Sequence, residues 1–208
     1  MFLARLQLNS GRIAVSWAAH PYRVHQRLQM AYEGDPRLLF RIEDMPRGTQ
    51  ILVQSHNEPD WTTAFAEFPV LLRPPEHKPL VLRLAAGQVF AFRLRANPTA
   101  KRTVSREKSP EKIPKRVGLY REEEQMAWLQ RKAAEAGFRV LSARVGQQEM
   151  VGGHIHREGE THDLRLLGIQ FDGLLQVTDP TRLRESVARG IGSGKGLGFG
   201  LLSLARAV

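Results

Sequence analysis

The chain opens with FLARLQL (2–8), in which apolar and polar residues alternate; a period of two predicts a half-buried β-strand. The period then lengthens. In HPYRVHQRLQMAY (20–32), Val24, Leu28 and Ala31 recur at helical spacing behind Pro21, a residue suited to the first turn of a helix. RLLFRIED (37–44) and TQILVQS (49–55) read as strands around a hairpin-like break at MPRG, and DWTTAFAEF (60–68) as a short helix capped by Asp60. RPPEHKP (73–79) interrupts the pattern, and VLRL (81–84) is expected to close the sheet. Strand, helix, strand, strand, helix, strand is the order of a ferredoxin-like unit.

A similar order then starts again. GQVFAFRLRANP (87–98) alternates apolar and basic residues, and REEEQMAWLQRKAAEAGF (121–138) is an amphipathic helix with Met126, Leu129, Ala133 and Ala136 on its apolar stripe. RVLSARV, HDLRLLGIQFDG and LLQVTD read as strands. DPTRLRESVARG (179–190) reads as a helix running from Asp179 and Pro180 to Gly190, before a last strand in GLLSLARA. The fold class expected is α+β, with two tandem ferredoxin-like (βαββαβ) domains at 1–80 and 87–208 and the boundary within 73–87. Two stretches fall outside the pattern. KRTVSREKSPEKIPKR (101–116) is either a solvated loop or a basic arm that orders on phosphates, and GGHIHREGETHD (152–163) is a second loop holding three of the seven histidines.

Composition narrows the partners. Thirty-one Lys and Arg against 21 Asp and Glu give a formal charge of +10, which favours a polyanion, nucleic acid before an anionic membrane surface. With no cysteine in the chain, disulfides and thiolate metal sites are excluded. The alternating N-terminus lacks the continuous apolar core of a signal peptide, and no apolar run is long enough to cross a bilayer. A cytoplasmic protein without a membrane role is expected.

Six glycines and Lys195 crowd GIGSGKGLGFG (190–200). The P-loop spacing fails, because Arg189 stands at its first glycine and Gly196 follows the lysine. The dinucleotide fingerprint fails in every register too. Two readings remain: glycines that bring backbone N–H groups to a phosphate beside Lys195, or glycines that serve a tight helix-to-strand connection. On the first helix, Tyr22 and His25 are three residues apart on the face opposite the core stripe, with Gln29. A histidine beside a phenol suits acid–base chemistry on a hydroxyl or phosphate, although such a pair also occurs as surface decoration.

Three stretches appear in a telling order: PYRVHQ (21–26), FRLRANPTAKR (92–102) and GIGSGKGLGFGLLSL (190–204). Together they resemble the CasE family, the CRISPR repeat-processing endoribonucleases of the type I-E Cascade complex, and QMAWLQRKAAEAGFRVL (125–141) is similar to that family's second-half helix. The resemblance runs from residue 2 to about 204. It implies two ferredoxin-like folds and a stem-loop of CRISPR repeat RNA as substrate. It also implies cleavage at the 3′ base of the stem by 2′-hydroxyl attack, without metal or other cofactor, and partnership with the remaining subunits of a Cascade-type complex. His25 matches the family histidine, as general acid/base, and Tyr22 the family tyrosine. Some relatives place a lysine five residues after the histidine; here Met30 stands there, leaving Arg23, Arg27 or Lys195 to supply the charge.

The RNA-binding residues expected are Lys195 with Gly194 and Gly196, Arg93 and Arg95 on one face of their strand, Lys101, Arg102, Arg23, Arg27, and Arg157 on the second loop. The rival reading is a noncatalytic RNA-binding subunit of a guide RNA complex.

Overall fold

The computed structural model describes residues 1–34, 37–46, 48–106, 109–157 and 160–207, and within these it leaves aside the side chains of 103–115 and 154–164. The first half comprises β1 (Phe2–Gln7), α1 (Arg12–Ala18), α2 (Pro21–Gln29), β2 (Leu38–Met45), β3 (Gly48–Ser55), α3 (Trp61–Phe65) and β4 (Glu76–Pro79). Its antiparallel sheet has the order β2-β3-β1-β4. The second half comprises β5 (Val89–Ala96), β6 (Thr99–Arg106), β7 (Ser109–Gly118), α4 (Glu122–Glu135), β8 (Phe138–Arg157), β9 (Glu160–Val177), α5 (Pro180–Arg189) and β10 (Leu202–Arg206). Its sheet runs β10-β5-β9-β8, with β6 and β7 forming a separate two-stranded ribbon. Both four-stranded sheets place the first strand of the unit between the fourth and the third, so the fold is α+β with the ferredoxin-like order twice.

Local chemistry explains most of these elements. Asp60 and Asp179 each accept two backbone N–H bonds at the start of α3 and α5, closing donors that a helix leaves open. Val24, Leu28 and Ala31 are buried as the helical spacing requires. On α4 the buried set is Gln125, Trp128, Leu129 and Ala133, with Ala136 just beyond; Met126 is only partly buried.

Four expectations are corrected. VLRL is not a strand: the first sheet is closed by Glu76–Pro79, an exposed edge where proline is tolerated, while Leu82 and Leu84 pack on the second core. HDLRLLGIQFDG and LLQVTD form one strand. Gly173 sits inside it, where a Cβ would stand 2.0 Å from the Ser142 carbonyl, and the register of β8 shifts there. The basic stretch after Lys101 and the histidine-containing stretch are strands, not irregular loops; each pairs with its neighbour in an antiparallel hairpin. Finally α1 had no counterpart in the sequence reading. Only Ala14 and Trp17 of it are buried, while Ile13 and Val15 face outward and mimic a strand's alternation.

The two halves meet along β2 and β10, an edge strand from each sheet. Leu38 and Phe40 face the first core, while Leu39 and Arg41 turn to the second half. The Arg41 guanidinium is 2 % exposed. It donates to the Leu201 carbonyl (3.1 Å), to Ser203 Oγ (2.9 Å) and to Glu43 (2.8 Å). Gln54 on β3 adds a buried bond to the Val187 carbonyl of α5 (2.8 Å). Burial lowers the affinity of Arg41 for its proton, and Glu43 counters this. Burial likewise pushes the Glu43 carboxyl up, but Arg41, Gln50 and Arg93 outweigh it and hold the group below the ordinary glutamate value.

Arg41→Ala removes the main charge partner of buried Glu43 and leaves two acceptors unmet, so it should destabilise the chain by about 3–5 kcal/mol in urea unfolding. Because Glu43 is depressed in the fold, its contribution is complete above the ordinary glutamate range and is lost as pH falls through its folded value. Glu43→Gln should therefore flatten the acid limb of the stability–pH curve.

Candidate active site

The glycine-rich segment returns from the C-terminus of α5 to β10 across the face of α2. Two bonds pin it: Ile191 N–H donates to the Gly200 carbonyl (2.9 Å), and Gly200 N–H donates to the Arg95 carbonyl of β5 (2.8 Å). Within it Lys195–Leu197 make one 3-10 turn. Gly194 enters that turn in the left-handed region at φ 79°, where a Cβ would lie 2.7 Å from Phe199 and 2.9 Å from Leu166. Packing therefore demands glycine at this position.

Gly196 meets the histidine. A Cβ there would stand 3.3 Å from His25 Cδ2 and 3.5 Å from Nε2, so the loop backbone runs against the imidazole edge. The ring is also stacked on Phe40, with centroids 6.0 Å apart and planes 12° from parallel. Tyr22 packs into a small apolar cluster of Val151, Leu197 and Phe199 beneath the same loop. Tyr22 and His25 do share one face of α2, but that face is half-buried against the second half of the chain, not the exposed surface expected. Surface decoration does not describe them.

Lys195 lies over the end of α5, its Cε 3.1 Å from where a Gly190 Cβ would be. Burial, then the like charges of Arg37 and Arg189, push its ammonium below the ordinary lysine value. A cation so placed gains from an arriving anion. The glycine loop thus makes a tight helix-to-strand connection, and the same turn that packs on His25 carries Lys195.

The remaining expected residues divide. Arg23 and Arg27 line a different cleft of about 710 Å³ with Arg12, Trp17, Met30 and Phe68. Arg27 stacks over Phe68 and donates to the Ala64 carbonyl (3.2 Å). At 100° per residue, positions 23 and 27 each lie about 160° around the helix from His25, so neither faces it. Arg93 and Arg95 do share a face, as expected. Arg93 is bound to Asp172 (2.6 Å) and Glu43 (3.5 Å), and Arg95 pairs with Glu149 above the Phe199 ring. They line a cleft of about 620 Å³ between the halves, next to Pro21, Glu43 and Gly152. Lys101 and Arg102 are exposed on β6, Arg102 paired with Glu124. Arg157 ends β8, and its side chain lies outside the described residues. Among the described residues, no group of three or more His, Cys, Asp or Glu is gathered for a metal ion, and no helix is long and apolar enough to cross a membrane.

Sequence reasoning missed Phe40, Arg37, Arg189 and Arg41. The continuous run LLFRI was the available signal for the first and last, since a strand buried on both faces loses its alternation. Nothing local announces that Arg37 and Arg189 act on Lys195.

Comparison with known proteins gives one consistent picture. The family model described as CRISPR associated protein matches residues 1–206. The CRISPR-associated endoribonuclease Cse3 of Thermus thermophilus is 37% identical over 222 residues, covering 99% of this chain and all of that protein. The CRISPR system Cascade subunit CasE of Escherichia coli is 32% identical over 203 residues, covering 93% and 96%. A structure of Thermus thermophilus Cse3 bound to an RNA representing a pre-cleavage complex superposes with a TM-score of 0.82 at 35% identity, covering 98% of each chain.

The two central glycines should separate in experiment. Gly194→Ala meets both a left-handed backbone and two side chains, so its unfolding free energy should fall by at least about 1–3 kcal/mol. Gly196→Ala meets the His25 ring first, at 3.3 Å and with an ordinary backbone; its melting temperature should stay near that of the parent while the His25 imidazole resonances shift in NMR spectra.

Proposed function

The chain belongs to the family of CRISPR-associated proteins, and on that premise we propose that it is a metal-independent endoribonuclease of the CasE type. It binds the stem-loop of CRISPR repeat RNA and cuts precursor RNA at the 3′ base of the stem, giving mature guide RNA. The full-length relation to a named CRISPR-associated endoribonuclease supports this, as does the relation to a structure holding pre-cleavage RNA. The observation that carries it is the seating of His25 and Tyr22 beneath a glycine turn whose next residue is a cation.

In the proposed reaction the ribose 2′-oxygen attacks the adjacent phosphorus. A P–O2′ bond forms and the P–O5′ bond breaks, leaving a 2′,3′-cyclic phosphate and a free 5′-hydroxyl. The proton leaving O2′ and the proton gained by O5′ are the two transfers that need help. His25 supplies general acid/base catalysis for one of them, and Tyr22 orients the phosphate or joins the proton relay. Lys195, carried by the same loop, steadies the charge that grows on the non-bridging oxygens. Its lowered proton affinity, caused by burial and by two like charges, is relieved when the phosphate arrives.

We place the protein in the cytoplasm, as the RNA-binding subunit of a Cascade-type complex, where one relative is itself named a Cascade subunit. A noncatalytic RNA-binding role is the second reading. It draws on Met30, half-exposed in the cleft with Arg23 and Arg27, where it cannot donate to an oxyanion.

Incubation with a repeat hairpin in EDTA decides between the two, because cutting must persist under chelation. His25→Ala should lower the single-turnover rate by about two to four powers of ten while hairpin affinity stays near that of the parent. Lys195→Ala should weaken binding. Undiminished cutting by the His25 variant would remove the assignment.

A further inference from the structure

The chemistry assigned to His25 needs its imidazole in one particular plane, because a ring nitrogen gives or takes a proton only along that plane. Nothing within a histidine side chain fixes it. The torsion that turns the ring joins a tetrahedral carbon to a planar one and is broad, whereas the torsion before it falls into discrete wells. α2 therefore decides where the ring stands and leaves open which way its edge faces. The plane has to be set by whatever packs against it.

Phe40 is placed to do this. It is fully buried on β2, and its ring lies 12° from parallel with the imidazole, the centroids 6.0 Å apart. That is an offset stack within the range aromatic pairs prefer. The Phe40 ring is itself held. It belongs to the first core, and from the other half of the chain the glycine loop closes on it, a Cβ at Gly198 standing 3.3 Å from Phe40 Cε2. Two residues earlier the same loop meets the imidazole edge, a Cβ at Gly196 standing 3.3 Å from His25 Cδ2. Alternate glycines thus cover a pair of stacked rings, one on each. A leucine or methionine at position 40 would fill the space but would offer no flat face for an imidazole to align with.

We propose that Phe40 is a positioning residue for RNA cleavage, its ring fixing the plane of the His25 imidazole; the proposal rests on the nuclease reading above. Phe40 is wholly buried, so it acts on the substrate only through the histidine. A ring turned out of line loses the near-attack geometry, and small displacements of a reacting group lower a rate by orders of magnitude. Hold on the hairpin does not depend on the imidazole plane and is unaffected.

The test is single-turnover cutting of a repeat hairpin by the full chain at saturating protein, for Phe40→Leu and Phe65→Leu, each alone and combined with His25→Ala. Phe65 is a ring of the same core that packs on Trp17 and Trp61 instead. Phe40→Leu should slow cutting about 10- to 100-fold while hairpin affinity stays near that of the parent. The His25 imidazole proton resonances should move as well, because the ring current of the stacked partner is gone. Phe65→Leu should lower stability in urea but cut at the parental rate. In the His25→Ala background Phe40→Leu should cause no further loss, since a residue that acts through the imidazole has nothing left to act on. Phe40→Met, which keeps more of the original volume, is read in the same way if the leucine variant does not fold. Parental cutting by a folded Phe40 variant, an equal loss in Phe65→Leu, or a further loss on top of His25→Ala would each overturn the positioning role and leave the nuclease reading intact. Undiminished cutting by His25→Ala alone would overturn both.

Discussion

One edge strand organises this molecule. β2 closes the first sheet, yet its outer row of residues is covered by the second half of the chain instead of water. Leu39 fills the space that a side chain at Gly190 would need, Phe40 lies against Gly198, and Arg41 is locked to Leu201 and Ser203. An uncovered edge strand is a liability, and covering it removes that liability. The same contact does more than protect. Phe40 also stacks on His25, so the strand that joins the halves fixes the histidine relative to the loop that carries Lys195. The proposed acid/base group and the proposed cation come from different halves, and their separation is set by β2.

The basic surplus is distributed according to burial. Arg41, Arg93 and Arg95 sit near the interface and are matched by Glu43, Asp172 and Glu149. A buried cation without such partners would be expensive, so these arginines hold the architecture together before they hold anything else. Lys195 sits among like charges, and Lys101 faces Arg116 across the ribbon. Repulsion is tolerated only where the cations remain partly wet. The two groups overlap at Arg189, which presses on Lys195 and also pairs with Glu185.

Much of this was legible in the sequence. Period-two and helical spacings gave the order of elements, and Pro21, Asp60, Asp179 and Gly190 marked helix ends for reasons that are local. Errors came where burial was decided by distant contacts. VLRL is apolar because it lies on the second core, so composition alone could not tell it from a strand. α1 hides only two residues and leaves Ile13 and Val15 outside, which blurs its helical period. The helical spacing of Tyr22 and His25 was visible, but a helical wheel knows only its own helix. It reports the face opposite the core as exposed, whereas here a segment some 170 residues later in the chain covers it. The ribbon strands were hard to read for a related reason: they are ordered by pairing with each other, which sequences rich in charge and proline do not announce.

Met30 can now be weighed physically. It lies on the Arg23 and Arg27 side of α2, half-exposed and with the loop on the opposite face. A cation there would reach His25 only by bending a long side chain around the helix end, at a cost in rotamer freedom. Lys195 does not have to cross the helix, because the turn after Gly194 delivers it beside the C-terminal end of α5. Supplying the cation from the loop also ties charge to geometry. Any movement that lifts Gly196 from the imidazole moves Lys195 as well, so the site would be assembled or disassembled as a unit. Methionine at position 30 is thus compatible with the proposed centre, provided that the glycine turn keeps its seat on α2.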